Sequence, residues 1–250
     1  MKRYRVRVPA ADAGPALARM LDLFPGGLEE ERDGDDVILA GYAERAPAAG
    51  LECDDVEPGW EDRWREYHRP VTVGRVWVGP PWWPQPAGGA WPQQASARPL
   101  SIVIDPGRAF GTGGHGSTRA ALELLQRLDP QPVLDLGCGS GVLAITAARL
   151  GFEVRGAFDI DPLAVGAAAE NAARNGVDLA VAQADVLADP LPAAPLWIAN
   201  LELGLLGRLL RRPDLPECIL ASGLLDPETV GGSERTVVDG WAAELVELRR

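Results

Sequence analysis

Gly137, Gly139 and Gly141 are spaced two apart in "PVLDLGCGSG", between an apolar run and the helix-like "VLAITAARLG". A strand that turns through glycines into a helix lets the backbone approach a ligand closely and points N–H groups at an anion near the helix start. Asp159 lies about twenty residues further on, at the end of the next apolar segment, where a carboxylate accepts hydrogen bonds from a ribose diol. A nucleoside triphosphate site needs G-x-x-x-x-G-K-[ST]. The second glycine-rich stretch, "AFGTGGHGST" at 109–118, contains no lysine, and Lys2 is the only lysine in the chain. A dinucleotide needs a third small residue, as in G-x-G-x-x-G, so that helix and sheet pack closely beneath the pyrophosphate. That position is occupied by Val142, which is too bulky.

These residues need elements to hold them. From Leu100 onward, strand-like and helix-like segments alternate: "LSIVIDPG", "STRAALELLQRL" with Ser117 or Thr118 as its expected N-cap, "PVLDLG", "VLAITAARLG", "EVRGAFDID", "PLAVGAAAENAARNG", "LAVAQAD", "LWIANL" and "ECILASGLL". Such alternation implies a doubly wound, mostly parallel sheet. The tail "RTVVDGWAAELVEL" departs from it as two strands joined by Asp239-Gly240, a tight hairpin signal. Ahead of this domain, "RYRVRV" (3–8) alternates like a half-buried strand and "DVILAGYAE" (36–44) is a second. "GPALARMLDLF" (14–24) carries Leu17, Met20, Leu21 and Phe24 at helical spacing and is stopped by Pro25-Gly26-Gly27. The reading is therefore a small α+β domain over 1–56, a connection over 57–99 and an α/β domain over 100–250. The connection holds a helix with Trp60, Trp64 and Tyr67 on one stripe, then a proline- and tryptophan-rich loop over 79–99.

Composition narrows the function classes. With 46% hydrophobic and 24% charged residues the chain is globular. Its net charge of −12 argues against direct nucleic-acid binding, which needs a basic face. The acid is concentrated in "EEERDGDDVI" and "ECDDVEPGWED", either a solvated surface or a docking face for a basic protein. Cys53, Cys138 and Cys218 are widely spaced with no C-x-x-C, which suits a reducing cytoplasm. The start carries no secretory pattern, no run reaches membrane-spanning length, and His68 and His115 alone make no metal site.

Asp135, Gly137, Gly139 and Gly141 complete D-x-G-x-G-x-G, the pattern of class I S-adenosylmethionine-dependent methyltransferases, whose seven-stranded sheet also ends in an antiparallel hairpin. "DPGRAFGTGGHGST", "VLDLGCGSGVLAI", "FDIDPLA" with "ENAARNGV", and "IANL" follow in an order that resembles the ribosomal protein L11 methyltransferase family. The resemblance reaches forward to "WEDRWREYHRPVTVG" and is most specific over 104–201. It implies S-adenosylmethionine as methyl donor and ribosomal protein L11, free or on the ribosome, as acceptor through lysine ε-amines or the N-terminal α-amine. It also implies that the small domain recognises that acceptor. Thr118, Gly137, Asp159 and Asn200 match cofactor-contacting positions, with Gly139 in the same cradle. The lysine-free loop would then cover a ligand bearing a sulfonium cation.

Asn200, after "WIA", is placed for its amide oxygen to orient an incoming N–H. Leu201-Glu202-Leu203 follow it, so the aromatic platform used for planar nitrogens is missing. Asp185, ending "AQAD", either accepts from the adenine amino group or caps the following turn. His115 either contacts the methionine moiety or stabilises its own turn. Asp161 reads as a helix N-cap, and Cys138 as a small filler. The chain departs from the family in having Ser117-Thr118 for two threonines, and in a short segment, "DPETVGGSER", before the hairpin. Two other readings fit the same residues: a methyltransferase with another protein or a small molecule as acceptor, and a non-catalytic module that binds the donor and docks on a partner.

Overall fold

The structure, a computed structural model, describes residues 2–55 apart from 10–11, 14–15, 17–18, 21–22, 25–28, 35, 44 and 49; residues 68–86; and residues 100–248 apart from 107–110 and 112. The chain forms two compact units, Met1–Tyr67 and His68–Arg250. Leu17, Leu21, the Pro25-Gly26-Gly27 stop, the Trp60/Trp64/Tyr67 stripe and most of the proline- and tryptophan-rich loop lie outside the described residues.

In the smaller unit, β1 (Lys2–Pro9), β2 (Glu29–Asp33), β3 (Asp36–Ala43) and β4 (Glu52–Asp55) pair in the order β2-β3-β1-β4. The alternation in β1 has the expected consequence. Tyr4 is buried with Val6 and Val8 packed beside it, against Met20 and Phe24. Arg5 and Arg7 face outward and pair with Glu52 and Asp33, at 2.9 and 2.6 Å. The described residues Ala16, Arg19, Met20 and Leu23 are helical, and a Cβ on Gly41 would collide with the Phe24 ring at 2.2 Å. Glu29–Asp33 and Glu52–Asp55, within the acidic stretches, form the two edge strands, β2 and β4, which the composition alone did not indicate.

The larger unit begins with β5 (Val71–Val73) and β6 (Val76–Gly79), which join β7 (Leu100–Val103) in a three-stranded sheet. "LSIV" is thus a strand as expected but belongs to this separate sheet. Next come α1 (Gly116–Leu125), β8 (Pro132–Leu136), α2 (Val142–Leu150), β9 (Glu153–Asp159), α3 (Pro162–Arg174), β10 (Val181–Gln183), β11 (Leu196–Asn200), α4 (Leu203–Leu209), β12 (Cys218–Leu225), β13 (Glu234–Val238) and β14 (Trp241–Glu247). The seven-stranded sheet runs β10-β9-β8-β11-β12-β14-β13, parallel through β12 and antiparallel in the terminal hairpin.

Adjacent residues in each strand point to opposite faces, and both faces are covered. Val133 and Ile198 pack with Leu122, Leu125, Leu143 and Ile145 of α1 and α2. Leu134, Trp197 and Ala199 pack on the other side with Leu206 and Leu209 of α4. Strand order reverses between β8 and β11, so the crevice beyond their carboxyl ends is the natural ligand position. No helix among the described residues is long and apolar enough to cross a membrane.

Candidate functional site

The strand–glycine–helix unit needs left-handed backbone at three places, with φ of 75° at Gly137, 52° at Gly139 and 80° at Gly141. Only glycine takes this conformation without steric cost. The three have different tasks. Gly137 and Gly139 line a cavity of about 310 Å³ at the carboxyl ends of β8, β9 and β11. Gly141 is instead the N-cap of α2, and a Cβ there would stand 3.1 Å from the Ala168 Cβ of α3.

Four of the loop's N–H groups, which the sequence placed toward a ligand, are instead engaged within the protein. Gly137 and Cys138 both donate to the Phe158 carbonyl, at 2.8 and 3.0 Å. Gly139 donates to Asp159 Oδ2 at 2.9 Å, and Gly141 to the Cys138 carbonyl at 2.8 Å. The Phe158 carbonyl, the Asp159 carboxylate and the Cys138 carbonyl take up these four amides. At these positions the loop is a close-approach wall.

Two carboxylates brace this loop. Asp159, besides holding Gly139, accepts from the Asp161 N–H through Oδ1 at 3.0 Å, so its orientation is fixed from both sides. Asp135 is 1% exposed beneath the loop, and its Oδ2 accepts from the Ala144 N–H of α2 at 3.0 Å. Burial pushes the Asp135 carboxyl up to about 7; the Ala144 N–H pulls it down, and the nearby Asp159 charge pushes it further up. The same burial, with both carboxylates, raises the Cys138 thiol far above its usual range, so this cavity-lining sulfur is an inert filler.

Every residue singled out from sequence for the site, Thr118, Gly137, Gly139, Asp159, Asp185 and Asn200, lines this one cavity. Asn200 Nδ2 donates to Thr118 Oγ1 at 3.4 Å, joining β11 to the first turn of α1. Asp185 accepts from the Leu187 N–H at 2.9 Å, so it caps its turn while also facing the cavity. Asp161 is the N-cap of α3, accepting from Leu163 N–H. The N-cap of α1 is neither Ser117 nor Thr118, as the sequence suggested. The helix starts at Gly116, and His115 caps it by accepting from the Ser117 N–H. Thr118 therefore sits inside the first turn with its hydroxyl released toward Asn200.

Sequence reasoning missed Gly111, Gly223 and the two asparagines of "ENAARNG". Ser140 hydrogen-bonds the Gly111 carbonyl, bringing the glycine-rich segment to the cavity. Asn171 is buried and bridges the Asp105 backbone to the Ser140 carbonyl, which is 3.1 Å from its Nδ2. Asn175 pairs with both backbone groups of Val103, at 2.8 and 2.7 Å. Together they clamp the root of that segment onto α3. Gly223 has φ of 90°, and a Cβ there would lie 2.4 Å from the Leu201 carbonyl oxygen. A glycine after a strand's small residues was the available signal.

Among the described cavity-lining residues there is no arginine, lysine or histidine, while Asp159 and Asp185 supply carboxylates. The wall also carries Val142, Leu143, Ile160, Val186 and Leu205. The arrangement suits an apolar, partly cationic ligand with a few hydrogen-bonding edges. No group of three metal-ligating side chains occurs among the described residues.

The family model described as ribosomal protein L11 methyltransferase matches residues 48–223. A ribosomal protein L11 methyltransferase of Azotobacter vinelandii is 39% identical over 170 residues, covering 66% of this chain and 54% of the relative. One from Pseudomonas aeruginosa is 36% identical over 203 residues, covering 78% of this chain and 65% of the relative. The chain thus spans less than two thirds of the length of these curated relatives. The crystal structure of a ribosomal protein L11 methylase from Lactobacillus delbrueckii subsp. bulgaricus superposes with a TM-score of 0.62 at 26% identity, covering 73% of this chain and all of that one.

Proposed function

Because the chain belongs to the ribosomal protein L11 methyltransferase family, we propose that it transfers methyl groups from S-adenosylmethionine to amines of ribosomal protein L11 in the cytoplasm. The acceptors are lysine ε-amines, the N-terminal α-amine, or both, on free L11 or on the ribosome. One observation carries the reading. The cavity has a carboxylate-braced glycine wall in which the amides of residues 137, 138, 139 and 141 are already committed, and its described lining carries no basic side chain. Such a site disfavours phosphate and favours a nucleoside joined to a cation.

Asp159, held rigid by the Gly139 and Asp161 amides, accepts from the ribose hydroxyls. Asp185 uses the oxygen not taken by Leu187 to accept from the adenine amino group. Gly137 and Gly139 admit the ligand edge because no Cβ stands in the way. Thr118 and Asn200 form the facing wall, where the Asn200 amide oxygen orients an incoming amine N–H. The donor supplies a methyl group already activated by positive sulfur, so the protein's contribution is chiefly position and orientation.

The amine must be neutral to attack. A lysine with a pKa of about 10.4 faces a deficit of roughly 4.6 kcal/mol at pH 7, and an α-amine of about 8 roughly 1.4 kcal/mol. Desolvation in a cavity walled by Val142, Leu143 and Leu205 lowers the amine's pKa toward reactivity. No dedicated base is assigned. The smaller unit is the part we assign to acceptor recognition, and the net charge of −12 favours a basic protein over nucleic acid as partner.

The test has two stages. Titration calorimetry with S-adenosylmethionine and with NADH comes first, and binding of NADH alone overturns the reading. Incubation with labelled donor and purified L11, then whole ribosomes, follows. Mass spectrometry is expected to show L11 gaining whole methyl increments. Unmodified L11 alongside donor binding would transfer the activity to another acceptor.

A further inference from the structure

The tip of the C-terminal hairpin, far along the chain from the glycine cradle, meets the first turn of α1 at several points. The Trp241 indole lies against the His115 imidazole, with ring centroids 4.4 Å apart and planes at 61°. Residue 116 leaves room for this contact only because it is glycine. A Cβ there would stand 2.6 Å from Trp241 Cδ1 and 2.9 Å from the Val238 carbonyl oxygen. Beside it, the Asp239 carboxylate at the hairpin turn pairs with Arg119 of α1. Beneath it, the Ser222 hydroxyl donates to the Ser117 carbonyl at 2.8 Å, with the Ala242 carbonyl 3.3 Å away. Next in the chain is Thr118, 2% exposed, whose hydroxyl receives Asn200 Nδ2 at the cavity wall. Neither Trp241 nor Asp239 lines the cavity.

We infer that Trp241 is a positioning residue: by clamping His115 and Gly116, it sets the first turn of α1 so that the Thr118 hydroxyl meets Asn200 on the cavity wall. The inference rests on the reading that the methyl donor occupies this cavity. The physical reason is local. The first N–H groups of a helix have no intrahelical partner, so outside contacts decide how its first turn is held. A ring contact and an ion pair from the hairpin, with the buried Ser222 hydroxyl of β12, hold that turn in place. The hairpin's sharp turn, with Asp239 at φ 49° and Gly240 at φ 76°, aims both Asp239 and Trp241 at the same helix end.

A double-mutant cycle read by donor calorimetry tests it. Trp241→Ala is expected to weaken S-adenosylmethionine binding about five- to tenfold, and to add nothing further in a Thr118→Val background. Trp241→Phe, which keeps a ring on His115, restores most of the affinity. If Trp241→Ala does not fold, Arg119→Gln breaks the neighbouring tie. It should weaken binding about two- to threefold, again only while Thr118 is present. Wild-type-like donor affinity in a folded Trp241→Ala protein overturns the inference, as does an equal loss with and without Thr118. A wild-type chain that binds no donor overturns the functional reading and this inference with it.

Discussion

Two buried carboxylates in the same sheet have opposite fates. Glu244 on β14 is 2% exposed, yet its carboxyl is held below its usual range. Burial alone would raise it, but Thr229 Oγ1, the Val230 and Gly232 amides and Arg235 all donate to it. Asp135 at the end of β8 is as deeply buried, with only the Ala144 amide as donor and Asp159 as a like-charged neighbour, and rises to about 7. The difference teaches how each loop is built. The segment 226–233 wraps around one saturated carboxylate and serves structure. The glycine loop is braced by two carboxylates that repel each other and leave its face open for a ligand.

The contrast is sharpest under mutation of the saturated group. Glu244→Ala leaves the part-buried Val230 and Gly232 amides and the Thr229 hydroxyl without their acceptor, while Arg235 keeps Asp226, and should cost about 3–5 kcal/mol of unfolding free energy in urea denaturation. A loss below about 1 kcal/mol would show that the cluster is decoration. Asp135 makes the opposite prediction in pH. Its carboxyl ionises near 3.8 when unfolded and near 7 when folded. Between those values the native state keeps a proton that the unfolded chain releases, so stability falls as pH rises through this window. Asp135→Asn should abolish that fall, so that between pH 3 and pH 8 wild type loses on the order of 4 kcal/mol relative to the variant. Parallel pH–stability curves would break the comparison.

Asp159→Ala removes a cavity-facing carboxylate that is already oriented, and on the proposed reading lowers S-adenosylmethionine affinity by about 1–3 kcal/mol in calorimetry. Unchanged affinity would take Asp159 out of the site. The smallest effect is expected from Thr229→Val, which removes a single donor from Glu244. About 1 kcal/mol of stability should be lost, with the carboxyl still ionised well below neutrality by NMR titration.

Much of the larger unit was legible because its signals are local. Gly151 closes α2, Pro162 opens α3, and Asp239-Gly240 turns the hairpin where the chain itself demands it. Thr118, Gly137, Gly139, Asp159, Asp185 and Asn200 line one cavity, and the signals that singled them out were glycine spacing, strand ends and the family resemblance. Where the reading fell short, the deciding partner was distant in sequence. β6 pairs with β7 across the stretch between residues 79 and 100, so "LSIV" gave no sign of leaving the main sheet. The cap of α1 passed to His115 because the helix begins at Gly116, beneath Trp241. The loop amides were spoken for by Phe158 and Asp159 on the next strand. The acidic runs hid β2 and β4, because edge strands need carry no apolar alternation and tolerate charge that discourages further pairing.

The committed amides of residues 137, 138, 139 and 141 bear on the empty cavity as well as a filled one. A receptor that waits with dangling donors must either collapse or borrow solvent, and its guest then spends affinity on tidying it. Here the wall is finished during folding, and departure of a used guest leaves no broken bond in these four amides. On the proposed reading, one round of methyl transfer hands the next a wall already in place.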